Sequence, residues 1–316
     1  MKMLHRFNPA IVLLIPLLCV MAALNPLYQT PAGMMSFLQR AAALLILTCG
    51  QSFVLIAGGF DLSAGALVTL TVIGCALISN GDPSAIWMAI AAAYGIGIVV
   101  GALNGLVVGR LKVPSIIATL GALLWVKGLA MVWSGGSPAG YLPANFRYIG
   151  RGVVRSVPVI QTLPIAVVVL IVFIGLSFWL LHKTNFGRVL LMMGDNPTAA
   201  QLSGAAVGWV RVGAFVVSSV SAVTAGILLG GFSGVSVDVG TGYDLQAIAG
   251  AVIGGVVLLG GRGSIPGACM GALTLYALFT VLNLVGFSEP LRVAVQGVIL
   301  ICAAALTAWR QRRLNN

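Results

Sequence analysis

Residues 85–108 read AIWMAIAAAYGIGIVVGALNGLVV, a stretch without a single charge. A helix of that length covers roughly 36 Å, enough to cross a hydrocarbon layer about 30 Å thick. Gly97, Gly101, Gly105 and Gly109 recur at every fourth position. On a helix they form one smooth ridge, against which a second backbone can lie close. Asn104 sits beside that ridge. An amide in hydrocarbon needs a partner, either an interhelical hydrogen bond or a passing hydrophilic solute.

The rest of the chain extends this reading. Of its 316 residues 59% are hydrophobic and 7% charged, against about 25% charged in a soluble domain. So few charges cannot cover a water-facing surface, and most of the exterior must meet lipid. Apolar runs predict spans at 10–27, 36–57, 62–79, 85–108, 114–134, 158–181, 210–231, 244–260, 266–285 and 291–309. The expected fold is an all-α polytopic membrane protein of about ten transmembrane helices. The chain reads as a single domain, 1–316, in two halves of about 1–157 and 158–316. The 62–79 and 244–260 spans are short and Gly-rich, which suits broken or re-entrant segments. The N-terminus, with Lys2 and Arg6 before an apolar run from Pro9 to Leu24, imitates a secretory signal. No A-x-A-like site follows, so it reads as a retained first helix.

The net charge of +11 would suggest nucleic acid in a soluble protein. Here the basic residues lie between apolar runs and report topology instead. Placing the N-terminus in the cytoplasm puts Lys2, Arg6, Arg110, Lys112, Lys183, Arg188, Arg211, Arg262, Arg310, Arg312 and Arg313 at inner ends. Asp82, Asp238, Asp244 and Glu289 then fall at outer ends, with both termini cytoplasmic. The 135–157 loop resists: it is placed outside yet carries Arg147, Arg151 and Arg155.

Metal and catalytic chemistry find no pattern. Cys19, Cys49, Cys75, Cys269 and Cys302 all lie in apolar segments without a C-x-x-C pair, so neither a disulfide framework nor a metal site is expected. His5 and His182 have no ligand spacing. No G-x-x-x-x-G-K-[ST] occurs, so the chain has no P-loop of its own. Gly260-Gly261-Arg262-Gly263 reads as a tight turn. No nucleophile–base or paired-carboxylate constellation is visible, and no cofactor is expected.

Two polar segments do stand out. Asp61 lies in Ala57-Gly58-Gly59-Phe60-Asp61-Leu62-Ser63-Ala64-Gly65, at or just within a membrane boundary. It suits both an N-cap on a broken helix and the lining of a pathway. Gly59-Phe60-Asp61-Leu62 is echoed by Gly242-Tyr243-Asp244-Leu245, with Tyr243 a candidate interface anchor. Five spans per half make the halves inverted repeats, the first copy near the inner face and the second near the outer. Paired Gly-interrupted segments in inverted halves point to a transport pathway between them. Thr119 is a weaker candidate, since a Thr can bond its own helix backbone. The second segment is the 182–209 loop. Asn196, Pro197 and Gly204 supply an N-cap, a first helical position and a C-terminal cap for a short helix at about 197–203. That helix is either a lipid-surface element or a docking element for a cytoplasmic partner.

These blocks resemble the permease subunits of ribose-type ABC importers, in the branched-chain amino acid/ribose permease superfamily. Gly58 to Gly65 is similar to the family's G-G-I-D-L-S-V-G. Asn104-Gly105 followed by Lys112-Val113-Pro114-Ser115-Ile116-Ile117-Ala118-Thr119-Leu120-Gly121 is similar to its next block. Gly194 to Gly204 resembles G-G-N-x-x-A-A-x-L-S-G, and Gly242 to Ala249 through Gly260-Gly261-Arg262-Gly263-Ser264 the last. Phe60 replaces the usual Ile, Asp195 the usual Gly, Gln201 an Arg or Lys, and Ala205 an Ile. The likeness runs over about 40–310.

The resemblance implies a permease of the bacterial inner membrane that translocates a sugar or sugar-like solute and catalyses nothing itself. A separate ATP-binding subunit would use ATP-Mg, a soluble solute-binding protein would deliver cargo outside, and a second permease copy or paralogue would complete the pathway. Pathway candidates are then Asp61, Ser63, Asn104, Thr119, Tyr243 and Asp244. Gly194, Asn196, Ala200, Leu202 and Gly204 would form the ATPase-coupling loop. Arg147, Arg151 and Arg155 would attract acidic residues of the binding protein. Competing readings are an ABC permease for nucleosides or branched-chain amino acids, and an ion-coupled secondary transporter. The last would need intramembrane ionisable groups, for which only Asp61, Lys127 and Asp244 qualify.

Overall fold

The computed structural model describes residues 9–157, 160–258, 260–299, 301 and 305. Lys2, His5, Arg6, Cys302, the basic 310–313 tail and most of the 300–309 part of the last expected span lie outside the described residues. Among those described, the chain is almost entirely helical. In order come α1 (Pro9–Leu24), α2 (Pro31–Ile56), α3 (Ala64–Ser79), α4 (Ile86–Gly109), α5 (Ser115–Ser134), α6 (Ala144–Arg151), α7 (Ile165–Lys183), α8 (Asn185–Asp195), α9 (Pro197–Leu202), α10 (Val207–Ser233), α11 (Tyr243–Ile253) and α12 (Ile265–Leu284). Helical backbone at 289–299 (α13) follows. Six of these are long and apolar enough to cross a membrane: α2, α4, α5, α7, α10 and α12. Three shorter apolar helices, α1, α3 and α11, join them. The result is a multi-pass all-α membrane protein.

Helices α2 and α10 form the centre. From Ala41 to Ile56, α2 is buried at every position, and α10 is buried continuously from Ser221 to Gly231. Around them α4, α5 and α7 turn large apolar side chains outward, with Trp87 76%, Val132 82% and Ile171 61% exposed. Such a surface belongs in lipid or against another apolar chain. The glycine ridge of α4 does what its spacing predicts and lies along α10. A methyl group on Gly105 would sit 2.5 Å from Val212 Cα, and one on Gly101 2.8 Å from the Phe215 carbonyl. With lipid as apolar as the core, close packing of this kind holds helices together.

The bundle has two ends, which we name by their landmarks. The hairpin end carries α6 and an antiparallel pair, β1 (Val153–Val157) with β2 (Gln161–Pro164). The loop end carries α8, α9 and the 254–263 turn. The 158–181 span expected from the sequence begins instead at Ile165, because Gln161–Pro164 belong to this hairpin. The 244–260 span shortens to α11, which ends at Ile253. The chain then turns through Gly260 and Gly261, both at positive φ (+96° and +79°), with Val257 N–H donating to the Arg262 carbonyl. This is the tight turn read from the sequence. The 182–209 segment holds more order than expected, since α8 precedes the short helix. Thr184 caps α8 by accepting from Gly187 N–H, and Asn196 caps α9 by accepting from Ala199 N–H.

Candidate functional site

Helix α2 runs to the loop end, where the Ile56 carbonyl accepts from Gly261 N–H at 3.0 Å. The chain does not return as a full span. Ala57 and Gly58 still bond the Phe53 and Leu55 carbonyls, residues 59–63 then re-enter the bundle as non-helical backbone, and α3 begins only at Ala64. Its 16 residues cover about 24 Å, short of a full hydrocarbon crossing. It ends at the hairpin end, where Gly81 N–H donates to the Tyr141 carbonyl at 2.8 Å. The second half mirrors this. Helix α10 ends at the hairpin end, the 234–242 segment descends into the bundle, and α11 runs back to the loop end. Gly240 N–H donates to Thr69 Oγ1 at 3.1 Å, tying the descending segment to α3. The two broken helices therefore point in opposite directions with their N-termini side by side. A methyl group on Gly65 would lie 2.6 Å from the Gly240 carbonyl and 3.2 Å from Asp244 Oδ1. The echoed segments do not sit at opposite faces, as the span count placed them; they meet in the interior.

Asp61 is fully buried at this crossing. It is not the N-cap of α3, the role its sequence setting suggested; that position is Ser63. Instead Asp61 Oδ1 accepts from Ser63 N–H (3.0 Å) and Ser63 Oγ (2.6 Å), while Oδ2 accepts from Ser218 Oγ of α10 at 2.7 Å. Asn104 Nδ2 of α4 donates to Ser63 Oγ at 2.9 Å. A carboxylate in hydrocarbon is tolerated only when its lone pairs are met in this way. Thr119 Oγ1 bonds the Ser115 carbonyl of its own helix at 2.8 Å and reaches the Phe60 carbonyl at 3.3 Å. Phe60 N–H in turn donates to Ser115 Oγ at 3.1 Å. One hydrogen-bonded web thus ties the re-entrant 57–63 segment to α4, α5 and α10. Asp61, Ser63, Asn104 and Thr119 all belong to it, and all are buried.

Tyr243 and Asp244 lie across from this web. Tyr243 is packed among core side chains of the bundle rather than standing as an interface anchor. Asp244 is 8% exposed, in the first turn of α11, with Gly242 as the N-cap at φ +80°. It borders a cavity of about 290 Å³, together with Gly65, Thr69, Leu123, Lys127 and Gly240. Lys127, on the cavity wall, pairs with Asp238 at 3.5 Å. Sequence reading missed Ser218, Ser115 and Asp238 as members of the site. Serines are unremarkable in a Gly-rich helix, and only the fold shows which of them faces a carboxylate. Gln51, fully buried on α2, has no hydrogen-bond partner among the described residues.

At the loop end, α9 shows a divided surface. Ala200 is buried, whereas Leu202 is 85% exposed, and Gly204 follows at φ +83°. Gly194 packs so closely on the Ile56 carbonyl and Gly261 N–H that no side chain fits there. Asp195 faces Arg262 at 4.0 Å. The α8–α9 region is therefore fixed to both the end of α2 and the turn after α11, the approaches to the two broken helices. At the hairpin end the three arginines gather around one space. Arg151 donates through Nε and Nη2 to the Phe232 carbonyl, at 2.8 and 2.6 Å, and closes the end of α10. All three arginines line one open cavity of about 540 Å³, together with Tyr141 and Tyr148.

Comparison with known proteins agrees with this architecture. No solved structure matches the chain. The ribose import permease protein of Escherichia coli (strain K12) is 33% identical over 96% of this chain and 94% of its own length. Its counterpart from Bacillus subtilis (strain 168) is 34% identical over 96% and 92%. The autoinducer 2 import system permease protein of Enterobacter sp. (strain 638) is 34% identical over 98% and 89%. Residues 33–304 match the family of branched-chain amino acid transport system permease components. With nearly the whole chain matched and its two broken helices meeting inside an apolar bundle, the protein belongs to this family of membrane permease components.

Proposed function

We propose that this chain is the membrane-spanning subunit of an ATP-driven importer in a bacterial inner membrane, and that its cargo is a sugar or sugar-like solute. The observation that carries the reading is the crossing of α3 and α11. Oppositely directed broken helices place backbone N–H groups, two carboxylates and a small cavity in the membrane interior, where a hydrophilic solute needs them. The relatives named above, which act in ribose and autoinducer 2 import, give the cargo class. Asp61, Ser63 and Asn104 shape the crossing, while Asp244 and the cavity beside it border the route. Thr119 holds the Phe60 carbonyl, and Tyr243 packs behind Asp244.

The loop end faces the cytoplasm in this reading, with both termini on that side. Arg110, Lys112, Lys183, Arg188, Arg211 and Arg262 lie there, as the distribution of basic residues in membrane proteins requires. The ATPase docks on α9, where Leu202 offers an unpartnered apolar side chain. Gly194, Asn196, Ala200 and Gly204 fix the shape of that element. ATP-Mg is used in the partner and never in this chain. Outside, Arg147, Arg151 and Arg155 receive acidic groups of a solute-binding protein, mainly setting encounter rate and register; Arg151 also holds the end of α10. A second permease chain covers the apolar α5 side and completes the pathway.

Co-purification tests the assembly. The full chain carrying an affinity tag should bring down a P-loop ATPase whose hydrolysis rises when a sugar-loaded binding protein is added. A purified chain that holds no ATPase, or an ATPase indifferent to the binding protein, would contradict the proposal.

A further inference from the structure

Lys127 is the thirteenth of the 20 residues of α5, about 18 Å along the helix from its start. Its side chain is 42% exposed, and that of its partner Asp238 64%. Charged groups at this depth do not face hydrocarbon; they face a water-filled space or another protein, and in transport proteins they mark the route. Lys127 lines the 290 Å³ cavity bordered by Gly65, Thr69, Gly240 and Asp244, and Asp238, two residues before Gly240, pairs with it. That volume is at the small end of ligand pockets, which run roughly 300–1,000 Å³, and suits one small solute.

The two partners sit on different elements. Lys127 belongs to a long helix. Asp238 belongs to the 234–242 segment, where its carbonyl accepts from Thr241 N–H at 3.0 Å. Gly234 (φ +86°) and Gly242 (φ +80°) bound this segment in conformations that glycine adopts freely. Parting the ion pair would free the segment from α5 while its ties to α3 hold. The other titratable group on the cavity wall is Asp244, and Asp61 lies near enough to interact with it electrostatically.

We propose that Lys127 and Asp238 form the hairpin-end latch of this cavity, narrowing its mouth when paired and exchanging the pair for hydroxyl groups of a neutral polyol when it opens. A hydroxyl accepts from the Lys127 ammonium and another donates to the Asp238 carboxylate, so neither charge is left without a partner as the solute enters. An apolar solute would strand both charges. An anionic one would meet the carboxylates of Asp238 and Asp244. The latch rests on the import reading above, and the following experiment separates the two.

Thr241, exposed on the cavity wall, is replaced in the full chain by cysteine (Thr241→Cys) in intact cells. A membrane-impermeant, sulfonated methanethiosulfonate is added outside, and labelling is measured over the background of the unsubstituted chain. Adding Lys127→Met or Asp238→Asn should raise the labelling rate about fivefold, the scale of losing one partly solvated ion pair in a two-state equilibrium. The exchanged pair, Lys127→Asp with Asp238→Lys, should return the rate to that of Thr241→Cys alone. Equal rates in all four chains, or an exchanged pair as fast as the single variants, would overturn the latch while leaving the import reading in place. No labelling in any chain would overturn both, because the cavity would then have no water route outward. In the Asp238→Asn background D-ribose should slow labelling and ribose 5-phosphate should not. Protection by both or by neither would remove the neutral-polyol assignment.

Discussion

Asp61 shows how a charge is held where lipid would reject it. Three donors on two elements, Ser63 N–H, Ser63 Oγ and Ser218 Oγ, converge on its carboxylate. Asp61→Asn keeps an acceptor for the Ser63 pair, and the Ser218 hydroxyl can turn to meet it; a loss of about 1 kcal/mol is expected. Asp61→Leu leaves buried donors without an acceptor and should cost about 3 kcal/mol, read as a lower unfolding midpoint of the full chain in detergent. Equal midpoints for the two variants would contradict the web. The glycines of α4 allow a second comparison on one helix. Gly95 has open space where a methyl would go, whereas Gly105 lies against the backbone of Val212. Gly95→Ala should therefore raise stability by up to about 1 kcal/mol through helix propensity, while Gly105→Ala should lower it by about 1–3 kcal/mol through overpacking. The four-residue glycine spacing made this ridge legible in sequence. Ser218 was not legible, because nothing local distinguishes it from Ser219 or Ser221.

At the scale of elements, the long spans could be read from apolar runs because hydrocarbon thickness sets their length. The broken ones were legible only in part. Short, Gly-rich composition marked 62–79 and 244–260 as unusual, but whether their N-termini met or lay apart depended on the pairing of Gly65 with Gly240 and of Thr69 with Gly240, which no local pattern records. The β1–β2 hairpin escaped notice because it borders an apolar run that reads as part of the next span. Helix α9 was legible from its caps, Asn196 and Gly204, and α8 was not, since it follows α7 across a single capping residue, Thr184. The exposed Leu202 gives α9 a testable role. Leu202→Asp should leave the unfolding midpoint of the chain within about 0.5 kcal/mol of its original stability, as for other exposed positions. It should reduce binding-protein-stimulated ATP hydrolysis in the assembled complex about tenfold, the effect of losing roughly 1.4 kcal/mol of docking energy. A complex that hydrolyses ATP normally with Asp at 202 would remove α9 from the coupling surface.

Taken whole, the molecule separates cargo handling from energy supply. The crossing of α3 and α11 is joined to the loop end through two short connections. One is the 57–63 segment leaving α2, and the other is the 254–263 turn leaving α11. Both meet α8 where the Ile56 carbonyl, Gly194 and Gly261 come together. In the proposed assembly a partner that pushes on α8 and α9 would therefore act on both broken helices at once, with no nucleotide site needed in this chain. In the proposed reading the charged groups near the crossing, Asp61, Asp244 and the Lys127–Asp238 pair, line and hold the route. Uptake into proteoliposomes tests this division most directly. The full chain is reconstituted with its co-purifying ATPase and a sugar-loaded binding protein, and entry of radiolabelled sugar is followed with ATP supplied on the ATPase side. The account predicts accumulation that stops when ATP or the ATPase is left out and persists when proton and sodium gradients are collapsed. Accumulation by the chain alone, driven by either ion gradient, would contradict it.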